Sequence, residues 1–201
     1  MRAKELIQRL AVLIPAREPV LIKGPPGCGK SDIVTQAAKA AKAELIIFHP
    51  VVSDPTDFKG LPCVVNDRAE FLPFGDLSKL MASKKLMVAF FDDIGQAAQM
   101  TQGALMQLFL ARQVNGQRIS DSVVFVAATN RREDKAGVTG LIEPLKNRFS
   151  TIYELVPNVD DWCEWALDHD VPTELVAYIR FRPGMMLDPG APSNDIVNRP
   201  T

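Results

Sequence analysis

Apolar positions along this chain follow two alternating patterns. Short, almost continuous apolar runs have the length of strands buried on both faces, and the segments between them place apolar residues on one face of a helix. Predicted strands cover residues 19–23, 44–48, 86–91, 122–128 and 151–156, and predicted helices cover residues 6–14, 32–43, 76–83, 97–112 and 141–146. This alternation predicts an α/β fold in which a five-stranded parallel sheet lies between helices.

Two regions depart from the alternation. Residues 49–75 contain four prolines and predict an irregular connection, except where Asn66-Asp67 separates two short apolar runs as the turn of a hairpin would. After Pro157, two helices are predicted in succession, at residues 159–168 and 173–181, with no strand between them.

The change after Pro157 divides the chain. We expect a nucleotide-binding core over residues 1–157 and a small helical lid over residues 158–201. The tail is rich in proline and breaks off abruptly, so we expect this second domain to be cut short.

The composition is typical of a soluble globular protein, with 47% hydrophobic and 23% charged residues in a length of 201 residues. The net charge of −1 argues against non-specific binding to nucleic acid or to anionic membranes. No apolar stretch approaches the roughly 20 residues that span a bilayer. Cys28, Cys63 and Cys163 are odd in number and widely spaced, which favours neither a disulfide framework nor a zinc site, so a reducing cytoplasm is expected.

A glycine-rich loop between the first predicted strand and the next helix is the most specific motif. It matches the pattern GxxxxGKS, whose chance occurrence in a chain of this length is on the order of one per cent. Backbone N–H groups of such a loop and the N-terminus of its helix bind phosphate, while the lysine reaches the β- and γ-phosphates and the serine binds Mg²⁺. The residues predicted to bind ATP are Gly24, Pro25, Pro26, Gly27, Cys28, Gly29, Lys30 and Ser31.

Two carboxylates follow the buried strand at residues 86–91. Ligands of open parallel sheets gather at the carboxyl ends of the strands. Asp92 is therefore predicted to hold Mg²⁺ together with Ser31, and Asp93 to orient or deprotonate the attacking water. The alternative is that the two carboxylates only cap the helix that follows them.

Two further polar residues complete the predicted catalytic set. Asn130 ends another buried strand, where its amide can hydrogen-bond both the water and the γ-phosphate; the alternative is an ordinary turn residue. Arg148 lies just before the last strand. Across a subunit interface, such an arginine contacts the neighbour's γ-phosphate and contributes about 10³ to 10⁵ in rate, whereas alone it is a solvated charge.

With these four elements in order, the chain resembles the AAA+ ATPases. The matching motifs are Walker A at residues 24–31, Walker B at Asp92-Asp93, sensor 1 at Asn130 and the arginine finger at Arg148. Within the superfamily, residues 71–77, 102–106 and 127–130 are similar to the MoxR-type branch. The resemblance covers about residues 5–181.

The resemblance implies a P-loop NTPase that hydrolyses ATP with Mg²⁺ at sites between the subunits of a ring, usually a hexamer. It also implies a chaperone-like role in remodelling or activating a partner protein, often together with a protein that contains a von Willebrand factor A domain. In such a ring, Phe58-Lys59 would face the central channel and grip a client chain. The alternative is a surface loop in which Phe58 is buried.

Two features depart from the family pattern. The superfamily usually has Glu where this chain has Asp93, whose carboxylate is one methylene shorter and sits about 1 Å further from the water, a displacement that costs on the order of 10²-fold in rate. The lid usually supplies a sensor 2 arginine, but Arg180, Arg182 and Arg199 do not begin a predicted helix. Asp93 therefore leaves slow hydrolysis open as an alternative to normal turnover.

Three functions remain open from the sequence. The first is an ATPase that remodels proteins. The second is a motor or loader directed to nucleic acid, which the near-neutral charge disfavours. The third is an assembly module that binds ATP and hydrolyses it weakly, which Asp93 favours.

Overall fold

The structure is a computed structural model, and it describes residues 1–131 and 140–187. The predicted end of the lid, residues 188–201 with Arg199, lies outside the described residues. The strands described are β1 (Val20–Gly24), β2 (Glu44–Phe48), β3 (Leu61–Val65), β4 (Arg68–Leu72), β5 (Met87–Phe91), β6 (Gln113–Val114), β7 (Gln117–Arg118), β8 (Val123–Asn130) and β9 (Thr151–Glu154). The helices described are α1 (Ala3–Ala16), α2 (Lys30–Ala40), α3 (Pro55–Lys59), α4 (Gly75–Ala82), α5 (Gln99–Ala111), α6 (Glu143–Lys146), α7 (Val159–Asp168) and α8 (Thr173–Phe181).

Five of the described strands form one parallel sheet in the order β2-β5-β8-β1-β9, which confirms the predicted α/β fold. Every residue of β5 and β8 is buried, as their nearly continuous apolar sequences predicted. The register pairs Gly24 of β1 with Asn130 of β8, and Phe91 of β5 with Ala127 of β8. The ends of these three strands therefore meet at one edge of the sheet.

Helices cover both faces of the sheet, and successive residues of a strand point to opposite faces. Val88 and Phe90 of β5 belong to the core formed with α1 and α2. Ala89 and Phe91 belong to the core formed with α4 and α5. The central strands thus supply apolar side chains to two cores at once.

An aromatic cluster lies in the second core, around Phe91. Phe48 stacks on Phe91 with ring centroids 5.0 Å apart, and Phe58 and Phe109 lie at 6.1 and 5.0 Å. Phe58 is 2% exposed, so it is part of the core. The interpretation that Phe58 grips a client chain is therefore wrong, and the alternative of a buried Phe58 is confirmed.

The proline-rich connection contains one helix that the sequence analysis did not predict. The Asp54 carboxylate accepts a hydrogen bond from the Thr56 amide, and the Asp57 carboxylate accepts one from the Asp54 amide, both at 2.9 Å. This reciprocal pair is a capping box, and it begins α3 with Pro55 in the first turn.

The predicted hairpin is present as β3 and β4, which pair antiparallel. Its turn residues, Asn66 and Asp67, have φ angles of 51° and 60°. Both values suit a two-residue turn whose twist matches that of the strands.

The two helices after Pro157 bury a small apolar cluster of their own, formed by Cys163, Ala166 and Val176. The Arg2 guanidinium joins them to the start of α1 by donating to the Asp161 carboxylate at 2.5 and 3.1 Å. The division into a core and a lid at residues 157 and 158 stays a prediction. Across residues 1–131 and 140–187, no helix combines the length and the apolar character needed to cross a membrane.

The burial of Phe58 leads to a stability prediction. Phe58→Ala should lower the free energy of unfolding by about 3–5 kcal/mol, because it opens a cavity inside the aromatic cluster. Urea denaturation followed by circular dichroism measures this change. Phe71→Ala on β4 is the matched control, since Phe71 is 46% exposed and its removal should cost less than about 1 kcal/mol. Equal losses for both variants would contradict this account of the core.

Candidate functional site

The glycine-rich loop joins β1 to the first residue of α2 at the carboxyl edge of the sheet. Gly27 and Gly29 have φ angles of 73° and 83°, a left-handed conformation that side chains other than glycine rarely adopt. The loop therefore turns back over the N-terminus of α2, whose first N–H groups have no partner within the helix. Such N–H groups, together with the positive end of the helix dipole, attract an anion.

Lys30 is the first residue of α2, and only 7% of it is exposed. Its ammonium group donates to the carbonyl oxygens of Gly24 and Pro25 at 3.3 and 2.9 Å and to the Asn130 side-chain oxygen at 2.6 Å. These acceptors hold the cation inside the loop.

The next residue of α2 contacts the first carboxylate after β5. The Ser31 hydroxyl donates to the Asp92 carboxylate at 2.5 Å, and the other oxygen of that carboxylate accepts from the Asp93 amide at 3.0 Å. A hydroxyl and a carboxylate oxygen are the ligands that Mg²⁺ prefers. The donor set of this pair therefore fits the metal predicted from the sequence.

Asp93 lies beside this pair and contacts β8. Its carboxylate accepts a hydrogen bond from the Asn130 amide nitrogen at 3.0 Å. Burial, followed by repulsion from Asp92, raises the pKa of Asp93, while the positive charges of Lys30 and His49 act in the opposite direction. Although Asp93 precedes the short 3₁₀ helix Ile94–Gln96, its side chain makes no cap hydrogen bond to it. Helix capping by Asp93, the alternative considered above, is therefore not supported.

Arg148 lies elsewhere. It is exposed and precedes β9, whose first residue, Thr151, pairs with Val20 at the beginning of β1. The phosphate loop begins at the other end of β1, four residues further on, or about 13 Å at the usual rise of a strand. The structure thus brings the other predicted residues together at one edge and leaves Arg148 toward the opposite edge.

A cavity of about 520 Å³ adjoins the loop between α1, α2, α7 and α8. Gly27 and Cys28 line it beside Ile7, Trp162 and Trp165. This volume and mixed lining are typical of sites for small organic ligands. No sequence motif marks these apolar residues as part of a site, because their spacing is the same as that of ordinary core positions on amphipathic helices.

Cys28 is partly buried within the loop. Burial raises the pKa of its thiol, and the positive charges of Lys30 and Arg131 offset part of that effect. The thiolate fraction at neutral pH is therefore small.

A family model described as an AAA domain of the dynein-related subfamily matches residues 19–149. Midasin from Giardia intestinalis is 25% identical over 181 residues, which cover 85% of this chain but 4% of midasin.

Two solved structures are similar in fold. The RuvB Holliday junction branch migration motor of Thermotoga maritima has a TM-score of 0.54 and 21% identity, over 80% of this chain and 48% of RuvB. NtrX from Brucella abortus, solved in complex with ADP, has a TM-score of 0.54 and 14% identity, over 83% of this chain and 39% of NtrX. This chain therefore spans less than half the length of these relatives, and the structural likeness extends to the fold alone.

The position of Cys28 leads to a chemical prediction. Iodoacetamide should modify Cys28 more slowly than Cys63 at pH 8, and the rate at Cys28 should rise about tenfold per pH unit between pH 6 and 8, because the thiolate is the reactive form. ATP should slow the reaction further, and the adduct should abolish ATP binding. Peptide mass spectrometry measures the rates. Treated Cys28→Ser protein, which should still bind ATP, is the control; an unchanged rate with ATP would contradict the prediction.

Proposed function

The chain belongs to the AAA domain family, in its dynein-related subfamily, and from this premise we propose that it binds and hydrolyses ATP within a ring that remodels or activates a partner protein. One observation carries the proposal. A chain of hydrogen bonds runs from Lys30 in the phosphate loop through the Asn130 amide to the Asp93 carboxylate. It joins the group that binds phosphate to the group that acts on water.

In this proposal, the triphosphate of ATP lies along the loop, where the N–H groups at the start of α2 and the Lys30 ammonium bind its oxygens. The base and ribose enter the adjoining cavity, where Trp162 and Trp165 supply aromatic surface. Ser31 and Asp92 would hold Mg²⁺, which would neutralise part of the phosphate charge when bound.

Hydrolysis is assigned to the residues at the ends of β5 and β8. Asp93 orients the attacking water or accepts its proton. The Asn130 amide positions the Asp93 carboxylate and also reaches toward the γ-phosphate. The Asn130 side-chain oxygen accepts from Lys30, so its orientation is set before the reaction. The role of Asn130 as a mere turn residue is disfavoured by these two bonds.

Arg148 completes the site of a neighbouring chain. It is exposed and far from its own phosphate loop, which supports action across a subunit interface. A homo-oligomeric ring, with six subunits as its expected number, brings this arginine against the γ-phosphate of the next subunit. The site in one chain is then incomplete without its partner copy.

The proposed client is a protein, and the proposed branch is the MoxR type. The stretches at residues 71–77, 102–106 and 127–130 support that branch, and with it a partner that contains a von Willebrand factor A domain. The net charge of −1 disfavours nucleic acid as the client. ATP hydrolysis stimulated by single-stranded DNA, and weakened by salt, would favour nucleic acid instead.

A second candidate function is an assembly module that binds ATP and turns it over slowly. The observation that favours it is Asp93, because its short side chain holds the carboxylate close to the backbone at the end of β5. In that case ATP binding controls the assembly of the chains, and ATP hydrolysis drives little movement.

The ring proposal predicts an ATPase rate that depends on protein concentration. The specific activity with Mg²⁺ should rise with concentration, because each site is completed by a neighbour, and Arg148→Ala should remove the rise and lower the rate by about 10³-fold or more. Steady-state phosphate release measures this. Lys30→Ala provides the blank, and a flat rate equal to that blank would overturn the hydrolytic proposal.

The length of the Asp93 side chain predicts a gain of function. Asp93→Glu should raise kcat by about 10-fold or more with unchanged ATP affinity, since the added methylene moves the carboxylate about 1 Å toward the water. Asp93→Asn is the matched control and should abolish turnover while ATP still binds. Phosphate release and equilibrium binding of a fluorescent ATP analogue distinguish the two. A lower kcat for the Glu variant would show that the site is built for aspartate.

A further inference from the structure

Gln102 is a polar residue in an apolar place. It lies in the first turn of α5, and none of its surface is exposed. Its amide nitrogen donates to the carbonyl oxygens of Ala97 and Gly140, both at 3.1 Å, and its side-chain oxygen accepts from the Ile142 amide at 3.0 Å. A buried amide is costly unless it is hydrogen-bonded, and here both ends of the side chain are used.

These bonds join two parts of the chain that belong to different functional elements. Ala97 ends the short turn that follows Asp93. Gly140 and Ile142 lead into α6, and the Gly140 amide also donates to the Gly95 carbonyl at 3.1 Å. The turn after Asp93 and the segment before α6 are therefore tied together through the Gln102 side chain.

The segment tied by Gln102 leads directly to Arg148. Ile142 is the N-cap residue of α6. Leu145 and Phe149, which lie on either side of Arg148 in the sequence, are buried. The Phe149 ring packs on Phe109 of α5 with centroids 5.2 Å apart. The element that carries Arg148 is thus anchored to α5 at both ends, by Gln102 at one end and by an aromatic contact at the other.

We infer that Gln102 is a positioning residue for the action of Arg148 on the neighbouring subunit. It holds Gly140–Ile142, and hence α6, at the place from which Arg148 reaches the next γ-phosphate. Since a displacement of about 1 Å costs on the order of 10²-fold in rate, a loosened α6 is enough to remove the contribution of Arg148. The inference rests on the proposed function, because it assumes that Arg148 acts in trans.

Rings assembled from two kinds of variant chain test the inference about Gln102. Lys30→Ala chains retain Arg148, and Arg148→Ala chains retain a phosphate loop, so a mixture should recover ATPase activity that neither has alone. Gln102→Met, which is similar in shape but has no amide, should lower this recovery about 10-fold or more when it is placed in the Lys30→Ala chain. In the Arg148→Ala chain it should leave the recovery nearly unchanged.

Thr101→Val is the matched control. Thr101 is the neighbouring buried polar residue of α5, at 2% exposure, and its hydroxyl donates to the Ser53 carbonyl and not to the segment before α6. Thr101→Val should preserve the recovered ATPase activity, whether it is placed in the Lys30→Ala chain or in the Arg148→Ala chain. Gln102→Glu keeps the acceptor for the Ile142 amide but places a carboxylate oxygen against the Ala97 and Gly140 carbonyl oxygens, so it should lose at least as much recovery as Gln102→Met.

Hydrogen exchange provides a readout that does not depend on the ring. Gln102→Met should speed amide exchange in peptides covering residues 140–149 at least several-fold, and Thr101→Val should not. Equal exchange in both variants, or equal loss of recovery in both arrangements, would overturn the inference while the proposed function stands. If the mixture without a Gln102 substitution recovers no ATPase activity, Arg148 does not act in trans. The inference about Gln102 is then overturned as well.

Discussion

The parallel pairing of β1, β5 and β8 decides where the polar groups of the site lie. Because the three strands run in the same direction and in a fixed register, the phosphate loop, the two carboxylates and Asn130 leave the sheet at one edge. A register shift of one residue would reverse the face to which each side chain points. The side chains of β5 and β8 differ in size and fill two close-packed cores, so a shifted strand would fit neither core, and the precision of the site comes from this packing.

The buried polar residues divide their work between the site and its support. Lys30 and Asn130 connect the phosphate loop to Asp93, whereas Thr101 and Gln102 attach α5 to the segments around it. Unpaired polar groups in an apolar interior are costly, and each of these side chains has a hydrogen-bond partner. Loss of a partner would therefore weaken the fold and the site together. Because hydrogen bonds are directional, these contacts also fix a geometry that apolar packing alone does not impose.

The same sheet keeps Arg148 away from the phosphate loop of its own chain. Arg148 follows α6 and lies toward the edge of the sheet where β1 and β9 begin, whereas the phosphate loop lies at the edge where β1 ends. In the proposed ring, Arg148 would come from the neighbouring copy, so its distance from the phosphate loop of its own chain would not keep it from a γ-phosphate. The α5 helix links the two edges within one chain, through Gln102 at its first turn and Phe109 near its last.

The sequence by itself determined the features that depend on neighbouring residues. The phosphate loop, the five strands of the sheet and the Asn66-Asp67 turn were predicted because glycine, apolar runs and turn residues act on the backbone next to them. The capping box that begins α3 was also local and was overlooked. Tertiary structure decided the rest. Lys30 and Asn130 are 100 residues apart in the chain, and Phe58, Gln102 and the two tryptophans acquire their roles from packing partners that no local pattern specifies. A side chain's environment is set by whichever distant segment packs against it, and for these residues that is decided only when the sheet and its helices come together.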